Sequence, residues 1–466
     1  MSAVVDGSLE WVVGGGPSTR MTQSTSGEWR WIQSCSLVEL YDRLCASCAD
    51  DGVQPPSYTT MLRVWNEEWK HRLHMKPPSD HGKCNDCERF KRLRALAQSP
   101  EDHANVTAAY HCHLRRILQA RRIDDFYVRC SEKSLRGDIP LASENNMLRT
   151  CMDAMDQAKL KLPRNISSAK EFTSMWRPQM ILFGSIAFNL LEVFWVIDPD
   201  VVKNANLECT MMSRLLHLCH EYLVGKHMPR QWSMHVDNAT AEGKNQIVAK
   251  YIAWQVWRRM WDSAELTEFT VGHTHNIQDQ RFSECSSAVF REPCVQTPDH
   301  IMDIIREKVR PRSNRTLCVE RLHAALDWRS LFDAVGVSMH GHTQTRKMKQ
   351  SHVEACHVWR FSRREDVQWD GPIQSAWPDI VPHRNDIILL VKQYLDDESY
   401  NQDPVVFAPN ENVASLGSGP SMQDARKSLS DRQLKEFKAT AERISVRPWC
   451  LNPAFLLRVL CVFGFI

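Results

Sequence analysis

Net charge is almost absent from this 466-residue chain: 58 Lys and Arg stand against 56 Asp and Glu, leaving +2. A strongly basic total, the usual footprint of a nucleic-acid-binding chain, is therefore missing, and any such binding must come from a local basic face. Long apolar runs are missing too. The best one, 454–466, is too short to span a bilayer and is interrupted by Arg458, so no membrane segment is expected. The first residues carry Asp6 and Glu10 and no apolar core behind a basic start, so no secretory signal is expected. There is no internal repeat. Disulfide spacing is also lacking: the 16 Cys are mostly single and in apolar contexts, as at Cys209 and Cys219, which is the usage of reduced, buried thiols. These absences predict an intracellular protein.

What is present is ordinary globular material, with 43% hydrophobic and 24% charged residues, enough for two or three domains. Residues 1–35 are rich in Gly, Ser and Thr and read as disordered. Residues 36–130 read as a helical region, with Leu37, Leu40, Tyr41 and Leu44, then Met61, Leu62, Trp65 and Trp69 at helical spacing. Residues 146–292 form an α/β segment. Residues 293–407 are a C-terminal extension with weaker patterning and a strand at 357–361. Residues 408–466 are a linker and tail with a short helix at 430–444.

Within 146–292 the expected order is strand at 147–152, strands at 180–188 and 190–197, helix at 207–224, strand at 232–237, helix at 246–260, strand at 266–271 and helix at 276–289. Alternation is clear at 232–237, where Trp232, Met234 and Val236 point one way and Ser233, His235 and Asp237 the other. Strand-strand-strand-helix-strand-helix-strand-helix is the ribonuclease-H order. The expected fold is thus a ribonuclease-H-like mixed sheet flanked by helices, preceded by a helical Cys/His module.

In that topology the ends of the first and fourth strands and the last helix converge. Acids stand at all three places: Asp153 and Asp156, then Asp237, then Asp279. Phosphoryl transfer on nucleic acid by a two-metal route needs such a carboxylate cluster, since Mg²⁺ or Mn²⁺ takes oxygen ligands. Asp153, Asp237 and Asp279 are the expected ligands, with Asp156 as an outer partner or a substitute for Asp153. Each acid also has an ordinary use: Asp237-Asn238 suits a turn, and Asp279 suits the first turn of a helix. Lys244 and Asn245 open a helix where a phosphate would be favoured, unless they only cap it. His273 and His275 flank Thr274 in a loop that should face the same edge, in a positioning role.

Three stretches carry a resemblance. Cys151-Met-Asp153-Ala-Met-Asp156-Gln-Ala-Lys159-Leu-Lys-Leu-Pro163-Arg164 resembles D-G-M-D-Q-A-K-x-x-x-P-R. His235-Val-Asp237-Asn238-Ala-Thr-Ala-Glu242-Gly-Lys244-Asn245 resembles D-N-x-x-x-E-x-K-N. Val271-Gly272-His273-Thr274-His275-Asn-Ile-Gln-Asp279-Gln280-Arg-Phe282 resembles G-H-T-H-E-D-x-D-Q-x-F. In this order they are similar to an uncharacterised integrase-like domain family of mobile-element origin, over residues 57–295. The resemblance implies a DDE-type transposase ancestry, DNA as partner and a nuclear location. Two departures stand out: Ala154 replaces the usual Gly after the first Asp, and Asn276-Ile277 replace the usual acids before Asp279.

The Cys/His module rests on His81-Gly-Lys-Cys84-Asn-Asp-Cys87 and on Tyr110-His111-Cys112-His113. Two thiolates plus imidazoles are zinc-ligand spacing. His81, Cys84, Cys87 and His113 are the expected structural Zn²⁺ ligands, with His111 and Cys112 as competitors for the last place. The family resemblance includes the Cys-x-x-Cys and an H-x₇-R matched by His113 and Arg121. Arg115, Arg116, Arg121, Arg122 and Arg129 form the best basic face in the chain, suited to phosphates or else to pairing with Asp124 and Asp125.

The expected function is DNA strand cleavage or transfer. A catalytically inactive domesticated DNA- or protein-binding module is the rival. A metallophosphoesterase ranks below both: Gly272-His-Thr-His275 suits one, but the D-x-H, G-D-x-x-D and G-N-H-D/E stretches are absent. No small-molecule organic cofactor is expected, and a homo-oligomer is compatible with the sequence.

Overall fold

The protein is described here from a computed structural model covering residues 30–32, 36–75, 84–155, 160–165, 177–223, 227–236, 245–269, 277–312, 314–335, 338–340, 357–367, 386–392, 394–397, 400 and 405–408. Two compact units are present. One contains residues 1–127, 268–275 and 392–399; the other contains 128–267, 276–391 and 400–466.

Among the described residues the first unit has four α-helices: α1 (Leu37–Asp50), α2 (Tyr58–Val64), α3 (Asn85–Leu96) and α4 (Pro100–Arg136), the last divided between the units after Tyr127. Ser36 closes a capping box with Glu39 at the start of α1, which satisfies two orphan N–H groups reciprocally. Leu40, Met61, Trp65 and Leu73 form a core, with Leu37, Tyr41, Leu44, Leu62 and Trp69 against it. The apolar residues expected to pack in this region do so. Residues Trp65–Trp69 continue α2 as a π-turn, a departure from simple helical spacing that lets both tryptophans reach this core.

The second unit is an α/β layer structure. Its main strands are β3 (Met147–Ala154), β5 (Ile181–Ala187), β6 (Leu191–Ile197), β7 (Gln231–Val236), β8 (Ser263–Thr267), β10 (Thr316–Leu322), β12 (Val358–Arg363), β13 (Ile387–Lys392) and β14 (Val405–Ala408), with β11 (Ser338–His340) at the far edge. Short pairs β1 (Arg30–Ile32) with β2 (Leu73–Met75), and β4 (Arg164–Asn165) with β9 (Cys294–Val295), lie outside the sheet. Among the described residues the sheet has the order β10-β6-β5-β3-β7-β8-β12-β13-β14-β11. Its centre, β6-β5-β3-β7-β8, is antiparallel across β6, β5 and β3 and parallel across β3, β7 and β8. This mixed sheet flanked by helices is compatible with the ribonuclease-H order expected from the sequence.

The helices here are α5 (Ala205–Tyr222), α6 (Gln246–Trp257), α7 (Ile277–Arg291), α8 (Pro298–Lys308) and α9 (Trp328–Val335). Leu148, Met152, Phe183, Trp195, Trp232 and Met234 form one sheet face and pack with Met211, Leu215, Tyr251, Ile252, Trp328 and Phe332 of α5, α6 and α9. The opposite face presents Leu182, Phe194 and Val196 to Phe282, Cys285, Ile301 and Ile305 of α7 and α8. The side-chain period of two sends Arg149, Cys151 and Asp153 to that second face.

Two expected boundaries move. The strand expected at 266–271 is β8, Ser263–Thr267, because pairing with β7 begins at Ser263 opposite Gln231, just after Trp261 stacks on Trp232. The helix expected to reach 260 stops at Trp257, since Arg259 takes a left-handed φ of 58°, the conformation that closes many helices. Strands after residue 292 also join the sheet: β10 pairs in parallel with β6, and β12 in antiparallel with β8. The strand expected at 357–361 is β12. The tail helix expected at 430–444 lies outside the described residues.

A close contact on the second face is at Gly184 of β5. A Cβ there would lie 1.7 Å from Gln278 Nε2 and 2.9 Å from the Phe282 ring, both on α7. Gly184→Ala should therefore push α7 off the sheet and cost roughly 1–3 kcal/mol, as overpacking does. Urea unfolding checks this: an unchanged midpoint would show that α7 does not sit there.

Candidate metal sites

Two sets of side chains have metal-ligand chemistry, one in each unit. The first is Cys84, Cys87 and His113, whose ligand atoms all lie within 4.8 Å of one another. Cys84 is the N-cap of α3 and Cys87 is in its first turn. His113 comes from α4, with Nε2 3.4 Å from Cys84 Sγ. Ala46 of α1, Tyr110, Leu114 and Leu118 pack around the cysteines. The Cys87 thiol is pushed well up by its hydrogen bond with Cys84 and by burial: two adjacent thiols cannot both ionise without a cation between them. Two sulfurs and an imidazole at this spacing fit Zn²⁺, which takes Cys and His in tetrahedral sets.

His111 is drawn away from this group. Its Nε2 lies 3.2 Å from Asp42 Oδ1, and Asp42 also accepts two hydrogen bonds from Arg94, at 3.2 and 3.0 Å. Cys112 is exposed. His81 lies outside the described residues.

The basic face of α4 also finds protein partners. Arg122 is bound to Asp50 and Asp51, Arg115 lies 3.9 Å from Asp50, Arg116 stacks on Tyr394 at 4.3 Å and Arg121 on Phe269 at 4.9 Å. Acids at the end of α1 thus compensate charge that the sequence left facing solvent.

The second set stands on the α7 face of the sheet. Asp153 is half-buried at the end of β3, and its Oδ1 accepts the Ala154 N–H at 2.7 Å. Its cross-strand partner is Gly184. Gln278 presses on that glycine, and the next residue, Asp279, is half-buried in the first turn of α7. Two of the expected carboxylates are therefore on elements that meet at one end of the sheet. The described part of β7 ends at Val236, opposite Met152. Asp237 follows it, and Asp237, Asp156, Lys244, His273 and His275 all lie outside the described residues. Asn245 caps α6, accepting from the N–H groups of Ile247 and Val248 at 3.0 Å each.

Several residues that hold α7 carried no role in the sequence reading. Arg281, two positions after Asp279, is fully buried and bound to the fully buried Glu192 of β6. Arg164, the last residue of the first motif, donates to the α7 carbonyls of Val289 at 2.8 Å and Phe290 at 3.2 Å and so satisfies the helix end. The first motif is thereby linked to the helix on which the third motif ends. A charged residue two positions from a candidate ligand on an otherwise apolar helix face was the signal for Arg281.

Residues 170–366 match a domain of unknown function, DUF7869. The match covers less than half of the chain. It takes in Gly184, Glu192, Asp237, Asp279 and Arg281, and leaves out Asp153 and the Cys/His group. Comparison with curated proteins and with solved structures gives no match. Among the described residues no helix is long and apolar enough to cross a membrane.

Burial works against the charge of Asp42, but the His111 and Arg94 hydrogen bonds outweigh it and hold the carboxyl below its ordinary value. A depressed pKa contributes stability that is fully present above the unfolded value, about 3.9, and is lost as pH falls through the folded one. Asp42→Asn should lower stability at pH 7 and flatten the acid limb below about pH 4. Unfolding midpoints against pH measure this; an acid limb as steep as in the parent would remove Asp42 from the account.

Proposed function

We propose that this chain is an integrase-like phosphoryl transferase acting on DNA, with Asp153, Asp237 and Asp279 as ligands of divalent cations and Asp156 as their outer partner. The observation that carries this reading is the docking of the first turn of α7 on Gly184, the strand partner of Asp153. The two elements in contact there carry the acid of the first motif and the acid of the third. Asp237, the acid of the second motif, is the next residue after β7, the parallel neighbour of β3.

The donor set fits Mg²⁺ or Mn²⁺, which take carboxylate oxygens. A bound ion pair would activate the attacking oxygen and stabilise the leaving one. The chain's own part is to hold the carboxylates still. Arg281, Arg164 and Gln278 do so by fixing the position and rotation of α7. Cys84, Cys87 and His113 would hold one structural Zn²⁺, with His81 as the fourth ligand.

A second reading, an inactive binding module, is favoured by the internal pairing of Arg115 and Arg122, which leaves less free positive charge for a phosphate backbone.

Two outcomes follow. Purified protein should carry about one zinc per chain by elemental analysis, and Cys87→Ser should lose it; a zinc-free parent would refute the site. The protein should nick duplex DNA with Mg²⁺ or Mn²⁺, and Asp279→Asn should slow nicking by more than about 100-fold, beyond what loss of a partner outside the ligand shell costs. Equal nicking by parent and variant would sink the catalytic reading, and no nicking by either would leave the binding module in its place.

A further inference from the structure

Beside the carboxylate edge lies a group of buried charges that does not balance. Arg281 is bound to Glu192 and Glu284, and its Nη2 donates to the Arg310 carbonyl at 3.0 Å. Arg312 donates to the other Glu284 oxygen at 2.6 Å. A third guanidinium, Arg315, stands 5.3 Å over the Phe188 ring. Its Nε and Nη1 are sealed from solvent and have no hydrogen-bond partner. Glu192, Arg281, Arg312 and Cys151 are the groups that act on it electrostatically. Three guanidinia thus share two carboxylates, leaving one positive charge in excess and two donors without a hydrogen bond, while Glu192, the nearest acid, keeps one buried oxygen that also lacks a hydrogen bond. A buried charge without a counter-charge is expensive, and buried donors are nearly always satisfied.

The location says what answers them. Phe188 packs with Cys151 and Ile186, and Ile277, the first residue of α7, packs on the same cluster. Cys151 precedes Asp153 by two residues on β3 and shares its face. Asp279 is two residues after Ile277. The unanswered guanidinium is therefore on the same face as both described carboxylates and beside the elements that carry them. On the charged side, Glu284 and Arg312 are partly exposed.

We propose that Arg315 is a phosphate-binding residue of this site. Its ligand is a phosphate oxyanion, taken from a DNA strand on the reading above, so the strand would be held next to the carboxylates that would hold the cations. Arg suits this task because its guanidinium is always charged and donates charge-assisted hydrogen bonds to phosphate oxygens. The run Arg310-Pro-Arg312-Ser-Asn-Arg315 supplies two of the three guanidinia and the carbonyl that orients the third.

The test is thermal unfolding of the full chain with inorganic phosphate and no added divalent cation. The parent should gain about 3–6 °C at tenfold excess over Kd. Arg315→Met should lose that gain and, freed of an unanswered charge, should melt at or above the parent in phosphate-free buffer. A parent indifferent to phosphate, or a variant that responds as the parent does, overturns the proposal. So does a variant destabilised with its phosphate response intact, which would make Arg315 an internal partner of Glu192. If Arg315→Met does not fold, Arg315→Lys should keep a weaker response, and a full response would count against the role. A short single-stranded oligonucleotide separates the sources: if Arg315→Met weakens its binding, the phosphate is the strand's, and if only the phosphate response is lost, the ligand is free phosphate. None of these readouts uses divalent cations or Asp279, so failure here leaves the nicking result standing on its own.

Discussion

The pairing of Arg281 with Glu192 is the constraint on which the candidate catalytic edge depends. Both side chains are essentially without solvent exposure, so each charge is tolerable only because the other is present. Removing one partner of such a pair costs about 3–5 kcal/mol, although a well-packed apolar pair can be as stable. What an apolar pair lacks is a direction. The ion pair fixes the rotation of α7: Gln278, Arg281, Phe282 and Cys285 are all buried, at the spacing of one helix face. Asp279 lies off that face by one step of the helix, about 100°. It is therefore left at the margin of the contact, half-buried.

The same pairing creates the charge imbalance around Arg315. Glu192 spends one oxygen on Arg281, and Glu284 divides itself between Arg281 and Arg312. An arginine cluster drawn together to hold a helix thus leaves one guanidinium over, on the face where a phosphate would approach. In the other unit, the carboxylate of Asp42 gathers His111 and Arg94 and keeps His111 from competing with His113 for the thiolates. In both places a buried acid decides which basic group remains available.

Much of the central sheet was legible because its strands are short, apolar and alternating. Trp232, Met234 and Val236 do face one core while Ser233 turns to the other side and accepts a hydrogen bond from Arg149 at 2.7 Å. The end of β8 was misplaced because the apolar run continues past the point where pairing with β7 stops. Among the strands beyond residue 292, β10 was harder: it pairs with β6, far away in sequence, and nothing local specifies such a partner. At the site, acids could be found because the fold order says where to look. Glu192 and Arg315 could not, because a buried charge reads as a surface charge until its partner is known.

Iron-directed cleavage tests the account most directly. Fe²⁺ substitutes for Mg²⁺ at carboxylate sites, and with a reductant and peroxide it generates hydroxyl radicals that cut the backbone near the ion. If the three motifs share cations, mass spectrometry should find cuts clustered near Asp153, Asp237 and Asp279 together. Excess Mg²⁺ should suppress all three, and Asp279→Asn should weaken all three. Cuts at one of these places without the others, or a pattern indifferent to Mg²⁺, would contradict a shared metal site and leave the three acids as unrelated features of one sheet.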